Sequence, residues 1–513
     1  MQASSALSRG AHKQARQITR RNLTELASAS ASANTGALKW RVQHHLTLYS
    51  LALAQNAKTD YAEALSNLRN VEQLTKDHGE ARQVYLASKI LIARLALSER
   101  QLALASDECQ EIGAEVETAT LPRSLVTLFA LVRALALAQL GRTRDAKDAL
   151  KRAHELLDLK ERDADEDAGL VRLVVGNGAE VYLAAPPRQL VYTFAFLASV
   201  AVHRDPYGGK PRSKLFAKEG LRLVERAKND VTVPSHAARH DLADTDALAR
   251  IRCSLLLFSA ELALMRSSFD STTAYLRQAI SCARSNDALW EAFHRRITLV
   301  HGALAAAKGN DERARTCFRV LALDDRDEDE IQTLAQVSLV LLEISAGKRV
   351  RLLDSGTSTT TSTLELDSLA TRAVAACARA SSPPLTLAGD VVRALASGAI
   401  SRAKDALRHA LNVANDTVAN HAKALVLALL SNLFLHTRND QAHRMLVAAL
   451  QIARGMAPTD RDSQAPTPLV GNARLGLWVS ERLLDMYKAA QQDKVDEHLK
   501  IVEAHTEAVQ SLE

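Results

Sequence analysis

Residues 125–157 read LVTLFALVRALALAQLGRTRDAKDALKRAHELL. Apolar residues return every three or four positions on both sides of Leu140-Gly141-Arg142, which is the period of an amphipathic α-helix. Glycine breaks a helix and marks a turn, and the small residues Gly141 and Ala146 allow two helices to pack closely. The stretch therefore predicts a helical hairpin of about 34 residues.

The same order of helix, short turn and helix returns along most of the chain. The predicted helix pairs are 40–55 with 61–74, 81–97 with 102–112, 190–202 with 214–227, 247–265 with 272–283, 289–307 with 312–321, 331–345 with 366–380, 391–396 with 403–414, 417–436 with 441–454, and 473–489 with 495–509. A short hairpin cannot bury its own apolar face, so neighbouring pairs must stack. We therefore predict an all-α, tetratricopeptide-like helical-hairpin solenoid that winds as a right-handed superhelix and binds on its concave face.

Length and composition favour such an array. The chain has 513 residues, whereas single cores stop growing at about 250–300 residues. Apolar residues make up 47% of the chain, which is enough to build a core, and Ala and Leu, the best helix formers, supply much of it. The helix breakers Gly and Pro are scarce.

Interruptions of the helical pattern suggest a division of the chain. We predict a basic, Ala/Ser-rich and partly disordered segment at 1–36, followed by N-terminal and central repeats at 37–353. A Ser/Thr-rich flexible loop is predicted at 354–365 and C-terminal repeats at 366–513. Shorter loops are expected at 160–167, 203–212, 230–240 and 459–468, and Gly176 with Gly178 is interpreted as a turn.

Motifs for catalysis, phosphate binding and metal binding are absent from the sequence. It contains no G-x-x-x-x-G-K-[ST] loop and no G-x-S-x-G nucleophile turn. His236 and His240 have the spacing of helical zinc ligands, but no third ligand accompanies them. The acidic run 324–330 is interpreted as the start of the helix at Ile331, where negative charge is favourable. We expect no enzymatic activity, no cofactor and no metal.

Charge and cysteine usage restrict the compartment. The net charge is +6 with a pI near 9.0, which permits an acidic partner without requiring one. The five cysteines include no C-x-x-C pair, which indicates a reducing compartment. The longest apolar runs are much shorter than the roughly 20 residues of a membrane span. We expect a soluble intracellular protein.

Two groups of residues are candidates for binding. Five basic residues gather around one predicted loop and are a candidate surface patch for phosphate or an acidic segment: Arg204, Lys210, Arg212, Lys214 and Lys218. The alternative interpretation is a solvated face balanced by acidic residues. Five aromatic residues are candidate anchors for a bound peptide, although most aromatics are expected in the core: Tyr192, Phe196, Trp290, Phe293 and Trp478.

Short motifs in the middle and the C-terminal third of the chain carry a family likeness. In the middle, VYTFAFL at 191–197 is followed by HRDP at 203–206 and KEGL at 218–221. The C-terminal third has RND at 438–440, GNA at 471–473 and LWVSERLLDMYK at 477–488. With these motifs the chain resembles the smaller, tetratricopeptide subunit of the cohesin loader, in layout from residue 37 to 504.

The resemblance implies a definite role. Members of that family wrap the extended N-terminal segment of a large HEAT-repeat, Nipped-B-like loader subunit, and the pair loads cohesin onto chromatin for sister chromatid cohesion. It implies a nuclear, chromatin-associated scaffold without ATPase activity, which contacts cohesin and chromatin indirectly. The alternatives are a scaffold subunit of an anaphase-promoting-like complex, a co-chaperone, a peptide-sensing regulator, or a direct DNA-binding protein.

Overall fold

The computed structural model describes residues 12–29, 35–53, 58–158, 170–176, 178–184, 186–208, 211–230, 239–324, 329–347, 361–380, 382–457 and 470–512. The predicted loops at 160–167 and 459–468 lie outside these residues, as do His236 and Lys210. The described residues pack as two compact units. The first unit spans Met1–Gln139, Arg144–Ala198 and Leu223–Leu248, and the second spans Leu140–Thr143, Ser199–Arg222 and Ala249–Glu513.

Helices make up nearly all of the described chain. In the N-terminal part they are α1 (His12–Ala29), α2 (Thr35–Leu53), α3 (Lys58–Thr75), α4 (Arg82–Ser98), α5 (Leu102–Thr118), α6 (Arg123–Gln139), α7 (Thr143–Asp158), α8 (Arg188–Val202), α9 (Arg212–Asp230) and α10 (Arg239–Met265). In the C-terminal part they are α11 (Phe269–Ala283), α12 (Asp287–Ala307), α13 (Asp311–Ala322), α14 (Glu330–Ser345), α15 (Thr361–Arg379), α16 (Pro383–Ala396), α17 (Ile400–Asp416), α18 (Asn420–Asn432), α19 (Asn439–Gly455), α20 (Ala473–Ala490) and α21 (Val495–Gln510).

Consecutive helices pack as pairs, and the pairs stack. In the first unit α2 packs on α3 and α4 on α5, and α4 also packs on α6. In the second unit the pairs are α12–α13, α16–α17, α18–α19 and α20–α21, and α14 packs on both α12 and α16. Contacts between the first helices of successive pairs are what stacked helical hairpins require. The predicted tetratricopeptide-like fold class is confirmed.

The first unit also contains a β-hairpin that the sequence analysis did not predict. Strand β1 (Leu170–Gly176) pairs antiparallel with β2 (Ala179–Ala184) through the turn at Gly176 and Gly178. Its residues alternate between the two faces. The inward residues Val171, Leu173, Val175, Val181 and Leu183 join the same apolar core as α2 and α4.

Glutamine side chains cover main-chain groups of the hairpin. Gln43 donates to the Tyr182 carbonyl at 3.0 Å and accepts from the Tyr182 N–H at 2.8 Å. The side-chain Oε1 of Gln83 accepts from the Val174 N–H at 3.0 Å. Unpaired edge groups template further strand pairing. The two amides therefore attach the hairpin to the helices and block part of each edge.

Helix boundaries differ from the prediction at two notable places. Helix α15 begins at Thr361, inside the segment predicted to be a Ser/Thr-rich loop. Helix α16 begins at Pro383, eight residues before the predicted start at Val391, with prolines at its first positions. Proline fits there because the first turn of a helix needs no N–H donor. The predicted division of the chain into four segments stays a prediction.

Candidate functional site

A cleft of about 610 Å³ lies in the second unit. It is bounded by α9, the α10–α11 turn, the residues before α20 and the end of α21. Its cations are Lys214, Lys218 and Arg266, and Leu221 and Leu512 are among its apolar residues. Among the described residues that line it there is no Asp or Glu. The described lining of the cleft thus combines apolar surface with positively charged side chains. Its volume is in the usual range for ligand sites.

Arg266 holds a loop beside the cleft. Its Nη1 donates to the main-chain carbonyls of Pro206 at 2.7 Å and Gly208 at 2.9 Å, and its side chain is almost fully buried. The Gly208 N–H donates to the Gly455 carbonyl at 2.9 Å. Charge-assisted hydrogen bonds are stronger than neutral ones. The main chain of residues 206–208 is therefore held firmly by Arg266, which follows α10, and by Gly455 of α19.

The turn between α10 and α11 is tied to the start of α20. Asn472 caps α20 by accepting from the Leu475 N–H at 3.1 Å, and its amide donates to the Met265 carbonyl at 3.1 Å. The Ser267 hydroxyl accepts from the Ala473 N–H at 3.1 Å, and Ser267 has a φ of +55°. A non-glycine residue in this region is uncommon. These contacts set the wall of the cleft opposite α9.

The C-terminal end of α21 forms one end of the cleft. Ala508, Ser511 and Leu512 of the α21 end line it. Helix α21 packs on α20 through the buried His498, whose Nε2 lies 3.1 Å from the Ser480 carbonyl, and through the buried His505. Burial lowers the pKa of both imidazoles, and that of His505 falls to about 4. Both rings are therefore neutral at physiological pH, so α21 docks without burying charge.

The predicted aromatic anchors divide between the two units. Tyr192 and Phe196 make an edge-to-face pair in the first unit, with ring centroids 5.5 Å apart. Trp290 and Phe293 pack partly buried against the core of α10, α11 and α12. Trp478 packs against a different core, and the Arg482 guanidinium lies 5.7 Å from its ring centroid. Each is half-buried, and their role in binding a partner stays a prediction.

The predicted basic residues that the structure describes lie in three environments. Lys214 and Lys218 line the cleft from one face of α9. Arg204 lies over the ring of Phe258, 4.7 Å from its centroid, a cation–π contact that Arg296 also makes at 4.3 Å. Arg212 is exposed at the start of α9 and does not line the cleft. A role for the predicted patch in binding stays a prediction, and of its described residues Lys214 and Lys218 line the cleft.

Sequence reasoning missed Arg266, Ser267 and Asn472 as residues that shape the cleft. Arg266 and Ser267 directly follow α10, whose helical periodicity gives no signal for them. For Asn472 a signal existed, since a Gly-Asn pair directly before an apolar helical pattern is an N-cap signature. In the sequence, the GNA motif at 471–473 contributes only to the family resemblance.

The first unit contains a buried ion cluster around Lys89. Lys89 lies 3.0 Å from Glu72 and 2.9 Å from both Glu108 and Glu111. Burial disfavours its charged form, but hydrogen bonds to the three carboxylates raise the pKa of Lys89. The lysine is therefore a charged structural group rather than a base or nucleophile. Across the described residues no cluster of His, Cys, Asp and Glu could hold a metal ion.

One further property concerns membranes. Within the part of the chain that the structure describes, no helix is long and apolar enough to cross a membrane.

The fold defines the class of protein: a tetratricopeptide-type repeat protein, here with a cationic, partly apolar cleft. A family model described as cohesin loading factor matches residues 2–485. The chain belongs to the cohesin loading factor family, as the sequence motifs implied.

Solved structures agree on the fold. The structure is similar to that of Scc4 in complex with Scc2n, with a TM-score of 0.59 and 10% identity, covering 97% of this chain and 87% of that one. A second structure, Scc4 in complex with Scc2n and Ctf19n, has a TM-score of 0.56 at 10% identity and covers 97% and 86%. NprR in complex with its cognate peptide NprX has a TM-score of 0.50 at 12% identity and covers 80% and 98%. The comparison with curated proteins gives no match.

Proposed function

We propose that this chain is the non-catalytic scaffold of a cohesin loader in the nucleus, which holds an extended N-terminal segment of a large HEAT-repeat loader subunit. The observation that carries the proposal is the match of the cohesin loading factor family to residues 2–485. The likeness to Scc4 over 97% of the chain supports it, because that protein was solved bound to Scc2n. The alternative scaffolds considered from sequence lack comparable support.

Stacked helical hairpins suit such a role. They offer an extended surface along which a partner segment contacts several repeats. A disordered segment that orders on binding can cover a large area, although the loss of its conformational entropy offsets part of the gain. The second unit of this chain supplies a mixed apolar and cationic cleft for part of such a segment.

Co-expression with the N-terminal region of the organism's Nipped-B-like protein tests the proposal. We expect a 1:1 complex by size-exclusion chromatography with light scattering. A version of that region with scrambled sequence and identical composition is the control and should not co-elute. If the native region fails to co-elute while this chain is folded and monodisperse, the proposed partner is wrong.

A cellular experiment tests the chromosomal part of the proposal. Rapid depletion of this chain should reduce cohesin occupancy on chromatin, measured by chromatin immunoprecipitation, without changing the total amount of cohesin. A tagged copy of the chain should be nuclear. Unchanged occupancy after complete depletion would contradict a role in loading.

A further inference from the structure

We propose that the guanidinium of Arg204 binds a carboxylate side chain of the extended segment that the large loader subunit contributes. The inference rests on the proposed function, because the segment belongs to that subunit. It goes further, because it assigns one residue of this chain and the chemical group that the residue recognises. Arg204 belongs to the HRDP motif at 203–206 and lies in the second unit, where its side chain is exposed.

The chain that carries Arg204 is fixed to other helices of the second unit. The side-chain amide of Asn420, the first residue of α18, donates to the carboxylate of Asp205. Arg266 donates to the main-chain carbonyl of Pro206 at 2.7 Å. The side chain of Arg204 therefore extends from a held main chain, and this preorganisation lowers the entropic cost of binding.

The ring of Phe258 restricts the guanidinium of Arg204. The guanidinium carbon lies 4.7 Å from the ring centroid, and that of Arg296 lies 4.3 Å from the same centroid. A cation–π contact uses the face of the planar guanidinium, so its N–H groups can still donate to an acceptor. Phe258 thus limits the orientations of Arg204 without occupying its donors.

The two arginines on this ring differ in their acidic partners. Arg296 donates to Oε1 of Glu261 through Nε at 2.9 Å and through Nη2 at 2.7 Å. Across the described part of the chain, no hydrogen bond or ion pair joins the guanidinium of Arg204 to another residue. Glu261 and Glu330 act on Arg204 through their charge alone. Among the described residues, the donors of Arg204 therefore have no acceptor.

The surroundings of Arg204 make such an acceptor favourable. The side chain is exposed, yet protein atoms surround it closely enough that desolvation lowers its pKa. The charge of Glu261 opposes this shift in pKa, the charge of Arg296 adds to it, and the charge of Glu330 opposes it. The group remains a cation, because the ordinary pKa of arginine is far above physiological pH. A carboxylate supplies the opposite charge and two oxygens that match the guanidinium.

The local charge favours a single carboxylate over a nucleic acid. Glu261 already neutralises Arg296, which leaves one guanidinium to be matched. Glu261 and Glu330 are close enough to act on Arg204, and they would repel the row of closely spaced negative charges that a nucleic acid carries. One Asp or Glu side chain of a peptide brings one negative charge, which fits one guanidinium.

A pair of matched variants tests the role of Arg204. The fluorescently labelled N-terminal region of the large loader subunit is titrated with the full chain, and anisotropy gives the dissociation constant. Arg204→Gln should weaken binding at least about tenfold, because hydrogen bonds between charged groups are lost. Arg284→Gln is the control, since Arg284 is also exposed and lies 5.4 Å from the ring centroid of Trp290. It should weaken binding less than about threefold.

Substitutions in the partner identify the carboxylate. Each Asp and Glu of the labelled region is changed singly to Asn or Gln. One of these changes should weaken binding to the native chain at least about tenfold, but binding to Arg204→Gln less than about threefold, because residues in contact are not additive.

A conservative variant keeps the test decisive if Arg204→Gln is not folded by circular dichroism. Arg204→Lys retains the positive charge but lacks the planar donors of a guanidinium. It should bind the labelled region at least about threefold more weakly than the native chain does. The same amide change in the partner should then have a smaller effect on Arg204→Lys than on the native chain.

The outcomes separate this inference from the proposed function. If the region binds the native chain and the folded variants of Arg204 equally tightly, the inference is wrong and the proposed function stands. The inference is also wrong if Arg204→Gln and Arg284→Gln weaken binding equally, or if no single amide change is coupled to Arg204. If the region does not bind the native chain at all, the proposed function itself fails.

Discussion

The side-chain amide of Asn472 donates to the main-chain carbonyl of Met265 across 3.1 Å, although the two residues lie 207 positions apart. The same amide nitrogen lies 3.1 Å from Nε2 of His421. Burial lowers the pKa of His421, so its neutral ring can accept this hydrogen bond. One asparagine therefore caps α20 and fastens it to the end of α10 and the start of α18.

Replacement of this amide separates the bridge from the helix cap. Asn472→Ser keeps a residue suited to an N-cap but removes the donors to Met265 and His421. We expect the free energy of unfolding of the second unit to fall by about 1–3 kcal/mol, because partly buried acceptors lose their partners. Urea unfolding followed by circular dichroism measures the change.

Asn310→Ser is the matched control. Asn310 also caps a helix, by accepting from the Arg313 N–H at 3.1 Å, but it is exposed. A change of about 0.5 kcal/mol or less is expected there. Equal effects at both positions would show that the bridge adds nothing to the cap.

At the same junction, the main chain at Gly471 lies close to the main chain of Ala453. Its φ is +72°, and a Cβ atom would lie 2.1 Å from the Ala453 carbonyl oxygen. That oxygen also accepts from the Asn472 N–H at 3.1 Å. Gly471→Ala therefore combines left-handed strain of about 1–2 kcal/mol with a main-chain clash, and it should lower the unfolding midpoint markedly.

Gly347→Ala isolates the first of these effects. Gly347 has a φ of +82°, and no heavy atom of the described residues lies within 4 Å of a Cβ added there. Only the conformational cost should remain, so the midpoint should fall less than for Gly471→Ala in parallel thermal melts. If the two variants melt together, the close approach to Ala453 contributes nothing.

The helices could be predicted from sequence because their signal is local. The predicted pair 289–307 and 312–321 agrees closely with Asp287–Ala307 and Asp311–Ala322, since Gly309 and Asn310 mark the turn and Asn310 caps the second helix. The β-hairpin also had a local signal, because two short runs rich in Val and Leu, residues 170–175 and 181–183, flank Gly176 and Gly178. It was missed since the helical period dominates the rest of the chain.

The cleft could be predicted only in part. Lys214 and Lys218 were selected as basic residues near a loop, and both line it. Met265 and Asn472 could not have been paired, because hydrogen bonds between residues 207 positions apart leave no periodic trace. Arg204 carries the same charge as the two lysines, yet it packs over Phe258. Which cation faces a cleft is decided by tertiary packing.

The hairpin gives a test of its part in the first core. Leu173 is fully buried against that core, whereas the side chain of Tyr182 on the opposite face is 47% exposed. Leu173→Ala should lower the free energy of unfolding by about 2–5 kcal/mol, because it removes apolar contacts and leaves a cavity. Tyr182→Ala should cost about 1 kcal/mol or less. Similar losses in urea titrations of both variants would mean that the hairpin does not contribute to the core.

The docking of the last helix should depend on pH through His505. The imidazole is 1% exposed and lies against Gly476 of α20, where a Cβ atom would come 2.2 Å from its Cε1. Burial lowers its pKa from 6.5 to about 4, and the charges of Arg454 and His498 act in the same direction. Protonation would place a cation in a buried site on which the charge of Arg454 also acts.

The sign of this pH dependence follows from the protonation of His505 in the folded and unfolded chains. Between pH 6.5 and 4 the unfolded chain binds a proton at His505 that the folded chain excludes, so the free energy of unfolding rises with pH. This contribution is fully present above pH 6.5 and is lost as the pH falls through that window, with a total of about 3 kcal/mol.

Urea unfolding at several pH values from 7.5 to 4.5 measures the effect in the full chain and in His505→Gln, which cannot titrate there. The variant is expected to be less stable at pH 7.5 because the ring no longer fills its site. Its stability should also fall less steeply with acidification, by up to about 1.4 kcal/mol per pH unit, the slope that one proton contributes. Parallel pH profiles for the two proteins would show that His505 does not exclude a proton when α21 is docked.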